Sequence, residues 1–127
     1  MGVPFDAQRG LIVIPTRLWG PDGDIVLRLA LDTGATRTLV NWDPIMSIGY
    51  DPAGVHPRLE VTTGSGVEFV PEVVVRKVEA LHSEQFDFPV LCHTLPPSAM
   101  VDGVLGLDFL RGRRLIVDLR SGEVMLD

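Results

Sequence analysis

The chain has few cysteines and no long apolar run, the features that mark disulfide-rich and membrane-spanning proteins. Its single cysteine, Cys92, excludes an internal disulfide and is compatible with a reducing compartment. No apolar run approaches the roughly 20 residues of a membrane-spanning helix, and the run at 11–14 is too short for a signal core and ends at Pro15. We therefore expect a cytoplasmic chain without membrane contact from this segment, although a piece excised from a longer or membrane-anchored protein would have the same pattern.

Basic residues are also scarce. The chain has 11 Lys and Arg against 17 Asp and Glu, a net charge of −6, which opposes binding to a phosphate backbone. The one basic cluster lies at 111–114, after a predicted short helix, where arginines complement the helix C-terminus and stay solvated. We expect no nucleic-acid partner.

Sustained helical periodicity is absent as well. Short apolar runs are interrupted by 13 Gly and 10 Pro, a composition that favours an all-β barrel or sandwich. A chain of 127 residues corresponds to one domain, which we assign to 1–127, with a loose N-terminal arm over 1–9.

One acidic residue stands at an unusual place. Apolar residues at every second position from Ile25 predict a strand with one buried face, and this strand ends at Asp32. Gly34 allows a tight turn that brings amide N–H groups near the carboxylate, and the Thr33 hydroxyl can fix the turn. The pattern predicts a rigid, hydrogen-bonded and partly desolvated acid.

A second motif lies some seventy residues later. Residues 101–110 read as an apolar-apolar-Gly strand, Val104-Leu105-Gly106, followed by a short helix. Together with Leu31-Asp32-Thr33-Gly34-Ala35, this segment closely resembles the retropepsin-like aspartic proteases. Thr36 stands where retroviral members often have Asp, so the pattern is closest to the bacterial and eukaryotic non-viral members.

The resemblance implies a closed β-barrel of the acid-protease fold with one or two short helices, assembled as a two-fold homodimer. It also implies roles for four sets of residues. These are the catalytic Asp32; the turn residues Thr33, Gly34 and Ala35; the buttress Val104, Leu105 and Gly106; and a flap tip at Gly64, Ser65 and Gly66. An ordinary surface hairpin is the alternative to the flap.

Peptide hydrolysis by carboxylates needs two acids that share one proton. The other candidates, Asp22, Asp102 and Asp118, lack the apolar-Asp-[Ser/Thr]-Gly pattern, so the chain supplies one acid. We infer a homodimer in which two Asp32 side chains meet on the symmetry axis. The expected activity is an aspartic endopeptidase that cleaves polypeptides at internal bonds near apolar residues, with no cofactor and no metal.

Two other functions compete with this interpretation. The first is a catalytically inactive module of the same fold that binds peptides or dimerises. The second is a metal site formed by His82, Cys92 and His93, whose spacing fits no common zinc motif. We expect Asp108 to cap the short helix rather than to act as a second catalytic acid.

Three local patterns complete the prediction. Asp43 and Pro44 predict the N-cap and first position of a brief helix that ends near Gly49. Hairpins are predicted over 59–70 and around Ser121-Gly122, and a strand connection at 84–85.

Overall fold

The computed structural model describes residues 2–51, 58–63 and 66–127, with only the backbone of 58–63 and 66–69. These residues form ten strands and two short α-helices, and the predicted mostly-β fold is confirmed. The strands are β1 Val3–Pro4, β2 Val13–Gly20, β3 Gly23–Leu31, β4 Leu39–Asn41, β5 Arg58–Thr63, β6 Gly66–Ala80, β7 Ser83–His93, β8 Gly103–Leu105, β9 Leu115–Asp118 and β10 Glu123–Leu126. The helices are α1 Trp42–Ser47 and α2 Leu107–Leu110.

Six of the strands close into a barrel. Their order is β2-β3-β8-β4-β7-β6, and β6 pairs again with β2, from Arg17↔Glu79 to Trp19↔Lys77. The alternating strands turn one set of side chains inward, so that Ile14, Leu18 and Leu29 are fully buried. This closed barrel is the one predicted from the resemblance.

A small second sheet holds both ends of the described chain. Its order is β1-β10-β9, with Val3 opposite Val124, and the Phe5 N–H donates to the Gly122 carbonyl at 2.8 Å. The loose arm predicted over 1–9 is therefore tethered in part. The arm is ordered here because β1 pairs with β10, more than a hundred residues away along the chain. A two-residue strand has no local sequence pattern that predicts this pairing.

The β6–β7 hairpin turns earlier than the sequence predicted. Ala80 pairs with Ser83, so Leu81 and His82 form the two-residue turn, and both have a left-handed φ, of 53° and 61°. The connection predicted at 84–85 lies within β7 instead. Both central residues of a type I′ turn take a positive φ, which usually selects Asn and Gly, so Leu81 and His82 carry no sequence signal for this turn.

Other local predictions have mixed outcomes. The backbones of β5 and β6 form the predicted hairpin, whose tip residues Gly64 and Ser65 lie outside the described residues. The terminal hairpin of β9 and β10 is also observed. Helix α1 has Asn41 rather than Asp43 as its N-cap, because β4 leads directly into the helix. In the part of the chain that the structure describes, the α-helices have six and four residues, and neither could span a membrane.

Candidate active site

Asp32 follows the last residue of β3 and is fixed by backbone hydrogen bonds on both sides. Its N–H donates to the Leu105 carbonyl at 3.0 Å, and its carbonyl accepts the Ala35 N–H at 3.2 Å. The Gly34 N–H donates to the carboxylate oxygen Oδ1 at 2.9 Å. The other oxygen, Oδ2, accepts no hydrogen bond within the described part of the chain, so one oxygen is held and one is available.

Exposure differs within this turn. Asp32 and Ala35 are half-buried, whereas Thr33 and Gly34 are exposed. Gly34 does not have a left-handed φ, but a Cβ there would lie 3.1 Å from Asp32 Oδ1. Glycine at this position therefore preserves the close approach of the amide to the carboxylate, which differs from the conformational role predicted for it.

Residues 104–106, the predicted buttress, lie beside the turn. Strand β8 runs parallel to β3, with Ala30 opposite Val104 and Leu31 opposite Leu105, and antiparallel to β4 on its other side. The Leu107 N–H donates to the Ala35 carbonyl at 2.8 Å. The structure thus brings the residues 32–35 and 104–106 into direct contact.

The backbone around residue 106 leaves no room for a side chain, so this position requires glycine. A Cβ on this residue would lie 2.7 Å from the carbonyl carbon and oxygen of Arg37 and 2.9 Å from the Ala35 carbonyl oxygen. Backbone atoms cannot move away as the end of a flexible side chain can. The glycine therefore lets β8 and α2 approach the segment that follows Asp32.

A polar cluster behind the turn was not predicted. Thr38 is fully buried, and its hydroxyl donates to Asp108 Oδ1 at 2.7 Å while accepting the Gly106 N–H at 3.1 Å. The Thr38 N–H donates to the same carboxylate at 3.0 Å. Arg37 pairs with Asp108, with Nε and Oδ2 3.6 Å apart, and with Glu72.

The role predicted for Asp108 needs correction. The N-cap of α2 is Gly106, and Asp108 lies inside the helix. Its carboxylate accepts the N–H of the following residue, Phe109, at 3.0 Å, but it also binds Thr38. In the sequence, Asp108 is marked only as an acid two residues after the apolar-apolar-Gly motif. That position did not identify Thr38, seventy residues away, as its hydrogen-bond partner.

The flap prediction falls mostly outside what the structure describes. Gly66 is the first residue of β6, and Gly64 and Ser65 are not described. The flap role of these three residues stays a prediction.

Two residues of the alternative metal site, Cys92 and His93, point to opposite sides of β7. Cys92 is fully buried, and its neighbour His93 is exposed at the end of β7, because adjacent residues of a strand face opposite sides. Burial raises the pKa of the Cys92 thiol to about 12. Among the described residues, no three His, Cys, Asp or Glu side chains are grouped in a way that could hold a metal ion.

An apolar recess of about 530 Å³ borders the turn. It is lined by Thr33 together with Leu107 and Leu110 of α2 and Leu115 of β9, and by the arginine-containing segment 111–113. An exposed turn residue therefore shares one surface with leucine side chains.

Comparison with known proteins agrees with this geometry. A family model described as aspartyl protease matches residues 20–109, which include Asp32 and the buttress. No curated protein matches the chain. The fold is similar to that of a retropepsin-like aspartic protease from Rickettsia conorii, with a TM-score of 0.73 and 12% identity over 99% of this chain and 89% of that one. The chain therefore belongs to the aspartyl protease family and has the retropepsin-like fold.

Proposed function

We propose that the chain is an aspartic endopeptidase that works as a symmetric homodimer. The observation that carries the proposal is the Asp32 turn: a carboxylate held through Oδ1 by the Gly34 N–H, with Oδ2 available and two exposed neighbours. Membership of the aspartyl protease family supports a protease role in general. The dimer, the shared dyad and the substrate preference are our inferences.

The need for a second acid supports the dimer. One carboxylate must be charged to take a proton from water, while the other must be neutral to donate a proton to the carbonyl oxygen of the substrate. Ionisation of two adjacent carboxylates is opposed by repulsion between their negative charges, so the pair holds one proton between them. Asp32 is the one acid of this chain in an Asp-[Ser/Thr]-Gly motif, and a symmetry-related chain is the simplest source of the other.

The surface around Thr33 fits such an assembly. Thr33 is exposed and borders the recess lined by Leu107, Leu110 and Leu115. A second copy that covers this recess would remove apolar surface from water and bring the two turns together. In the proposed dimer, Thr33 hydrogen-bonds across the axis and Gly34 contacts substrate through its backbone.

Cleavage near apolar residues is supported by the side chains that precede Asp32. Ala30 lies two positions before Asp32 near the end of β3, and Val104 is its neighbour on β8. Both are small or medium apolar side chains. We propose that they line the pocket beside the bond that is cleaved, and that the hairpin of β5 and β6 covers the bound peptide as a flap.

The test is cleavage of an unfolded protein, such as reduced casein, by the purified chain and by Asp32→Asn. The expected result is loss of cleavage by a factor of at least about 10³ in the variant, since a dimer of variant subunits lacks both carboxylates of the dyad. Asp24→Asn is the matched control, because Asp24 is exposed at the opposite end of β3. Cleavage that persists in Asp32→Asn contradicts the assignment. Absence of cleavage in the unmodified chain over a broad pH range favours the inactive peptide-binding or dimerisation module.

A further inference from the structure

One face of the strand that leads to Asp32 carries a cation. Arg28 and Ala30 are two positions apart, so their side chains leave β3 on one side, and Asp32 is the first residue after the strand, two positions beyond Ala30. Arg28 lies four residues before Asp32, about 13 Å along the strand at roughly 3.3 Å per residue. A substrate extended along this face at a similar rise would pass Arg28 about four residues from the bond that is cleaved.

Arg28 borders a recess of about 330 Å³ with mostly apolar walls. These walls include Leu11 and Val13 on one side and Met100 and Val101 on the other. Leu11 is 49% exposed and Met100 is 72% exposed, which is high for large apolar side chains. The recess therefore offers apolar contact area that the chain itself leaves uncovered.

Two arginines give this recess its charge. The guanidinium of Arg28 has no carboxylate within 4.0 Å among the described residues, whereas its backbone N–H and carbonyl are both bonded to Asp102, at 2.9 and 2.8 Å. The backbone of Arg28 is thus fixed and its charge is free. Arg9 is the second arginine, and its Nε lies 3.8 Å from Asp6 Oδ2, a long ion pair. The side chains of Arg9 and Asp6 are both more than half exposed.

The charged side chains that line the recess are cationic, although the carboxylates of Asp6 and Asp102 lie beside them. The net charge of −6 repels acidic peptides in general. A preference for an acidic residue must therefore come from local contacts, and Arg28 and Arg9 provide the cations for them. The apolar walls fit the methylene groups of a side chain that ends in a carboxylate.

We propose that this recess is a substrate subsite that selects glutamate three to four residues from the cleaved bond. The proposal rests on the proposed function, since it takes the substrate to be a polypeptide lying over Asp32. Arg28 pairs with the glutamate carboxylate, and Leu11 and Met100 pack against its methylene groups. Arg28 is a specificity-determining residue in this scheme and takes no part in the proton transfers.

The test compares peptides that differ only in one residue, Glu, Gln or Lys, at successive positions two to five residues from the cleaved bond. Binding is measured by fluorescence anisotropy on the Asp32→Asn variant, and kcat/KM is measured on the unmodified chain. We expect Glu to be favoured over Gln about two- to fivefold at three or four residues from the bond, the size of a partly exposed ion pair. The preference should shrink toward onefold as NaCl is raised from 0.05 to 0.5 M.

Substitutions at Arg28 identify the cation. Arg28→Gln should remove the preference, and Arg28→Glu should turn it toward Lys. Arg120→Gln, which changes an exposed arginine within the terminal hairpin turn, should leave the preference intact. Equal binding of Glu and Gln peptides to the chain with Arg28 overturns the proposal, as does a Glu preference that survives in Arg28→Gln.

The same measurements separate this proposal from the proposed function. Selective binding of Glu peptides without cleavage by the unmodified chain supports the subsite and contradicts the endopeptidase activity. Cleavage of Glu and Gln peptides at equal rates contradicts the subsite alone. Failure of every peptide to bind contradicts both.

Discussion

Thr38 donates hydrogen bonds through two of its groups to Asp108, across seventy residues of sequence. The hydroxyl and the backbone N–H of Thr38 both donate to the Asp108 carboxylate, at 2.7 and 3.0 Å. The same hydroxyl accepts the Gly106 N–H, so that Thr38 joins β8 and α2 to the segment after Asp32. This contact links Gly106 and Asp108 to the segment that follows the Asp32 turn, and it does not involve the Asp32 carboxylate.

Thr38→Val should therefore destabilise the fold. The substitution keeps the shape of the side chain but leaves the Gly106 N–H and one bond of the Asp108 carboxylate unsatisfied in a buried place, at a cost of about 2–3 kcal/mol. Thr16→Val is the matched control, because Thr16 is also fully buried but makes one 3.2 Å bond to the Ile14 carbonyl. Urea unfolding of both variants gives the comparison. Equal losses at the two sites would contradict the role given to Thr38.

Gly106→Ala should be more severe than an ordinary glycine substitution. The added methyl group would meet backbone atoms of Arg37 and Ala35 at 2.7–2.9 Å, so strands near the site must separate, with a loss of about 2–4 kcal/mol. Gly10→Ala is the control, since a Cβ at Gly10 meets nothing within 4 Å. Thermal unfolding followed by circular dichroism measures both. A Gly106→Ala variant as stable as the control would show that the close approach is not needed.

His82→Gly should stabilise the chain. His82 is exposed and has a φ of 61°, a left-handed conformation that glycine adopts without the clash of a Cβ. The expected gain is about 0.5–1 kcal/mol, seen as a higher Tm, and His82→Val should lower the Tm because a β-branched side chain fits this conformation poorly. A fall in Tm for His82→Gly would indicate a contact of the imidazole that this turn geometry does not include.

The stability of the chain should fall at alkaline pH partly through Cys92. Burial raises the pKa of its thiol from about 9 to about 12, so the folded chain keeps a proton that the unfolded chain loses between these values. The contribution is complete below pH 9 and decreases as the pH rises toward 12, by at most about 1.4 kcal/mol per pH unit. Urea unfolding at pH 8 and pH 10.5 measures the loss.

Cys92→Ala is the control for this pH dependence. The variant should be less stable at pH 8, because it leaves a cavity in the core, but it should lose less stability between the two pH values. All other titrating groups are shared by the two chains. Equal losses would show that the thiol does not titrate differently in the folded state.

The sequence predicted the parts of the site that depend on local pattern. A strand that leads to Asp32 follows from alternation along the chain. The position of 104–106 beside the turn was implied by the resemblance to the retropepsin-like proteases, and the buttress role of these residues stays a prediction. The motif pair also predicted the closed barrel, through resemblance to a family.

Long-range side-chain partners were not predictable in this way. Arg37 and Glu72 are thirty-five residues apart, and no periodicity links them. The turn at Leu81 was missed for a different reason: its backbone is left-handed at residues with no preference for that conformation, and the paired strands on either side impose it. The β1 strand was missed because its partner, β10, lies at the other end of the sequence.

The central claim is that two Asp32 side chains, one from each subunit, form one reaction centre. Mixing unmodified subunits with Asp32→Asn subunits at constant total concentration, after exchange of subunits, tests it most directly. If both carboxylates are needed, peptide cleavage falls as the square of the unmodified fraction, so an equal mixture keeps about one quarter of the activity. Cleavage that falls in direct proportion to the unmodified fraction, to about one half, would show that each chain acts alone and would contradict the account.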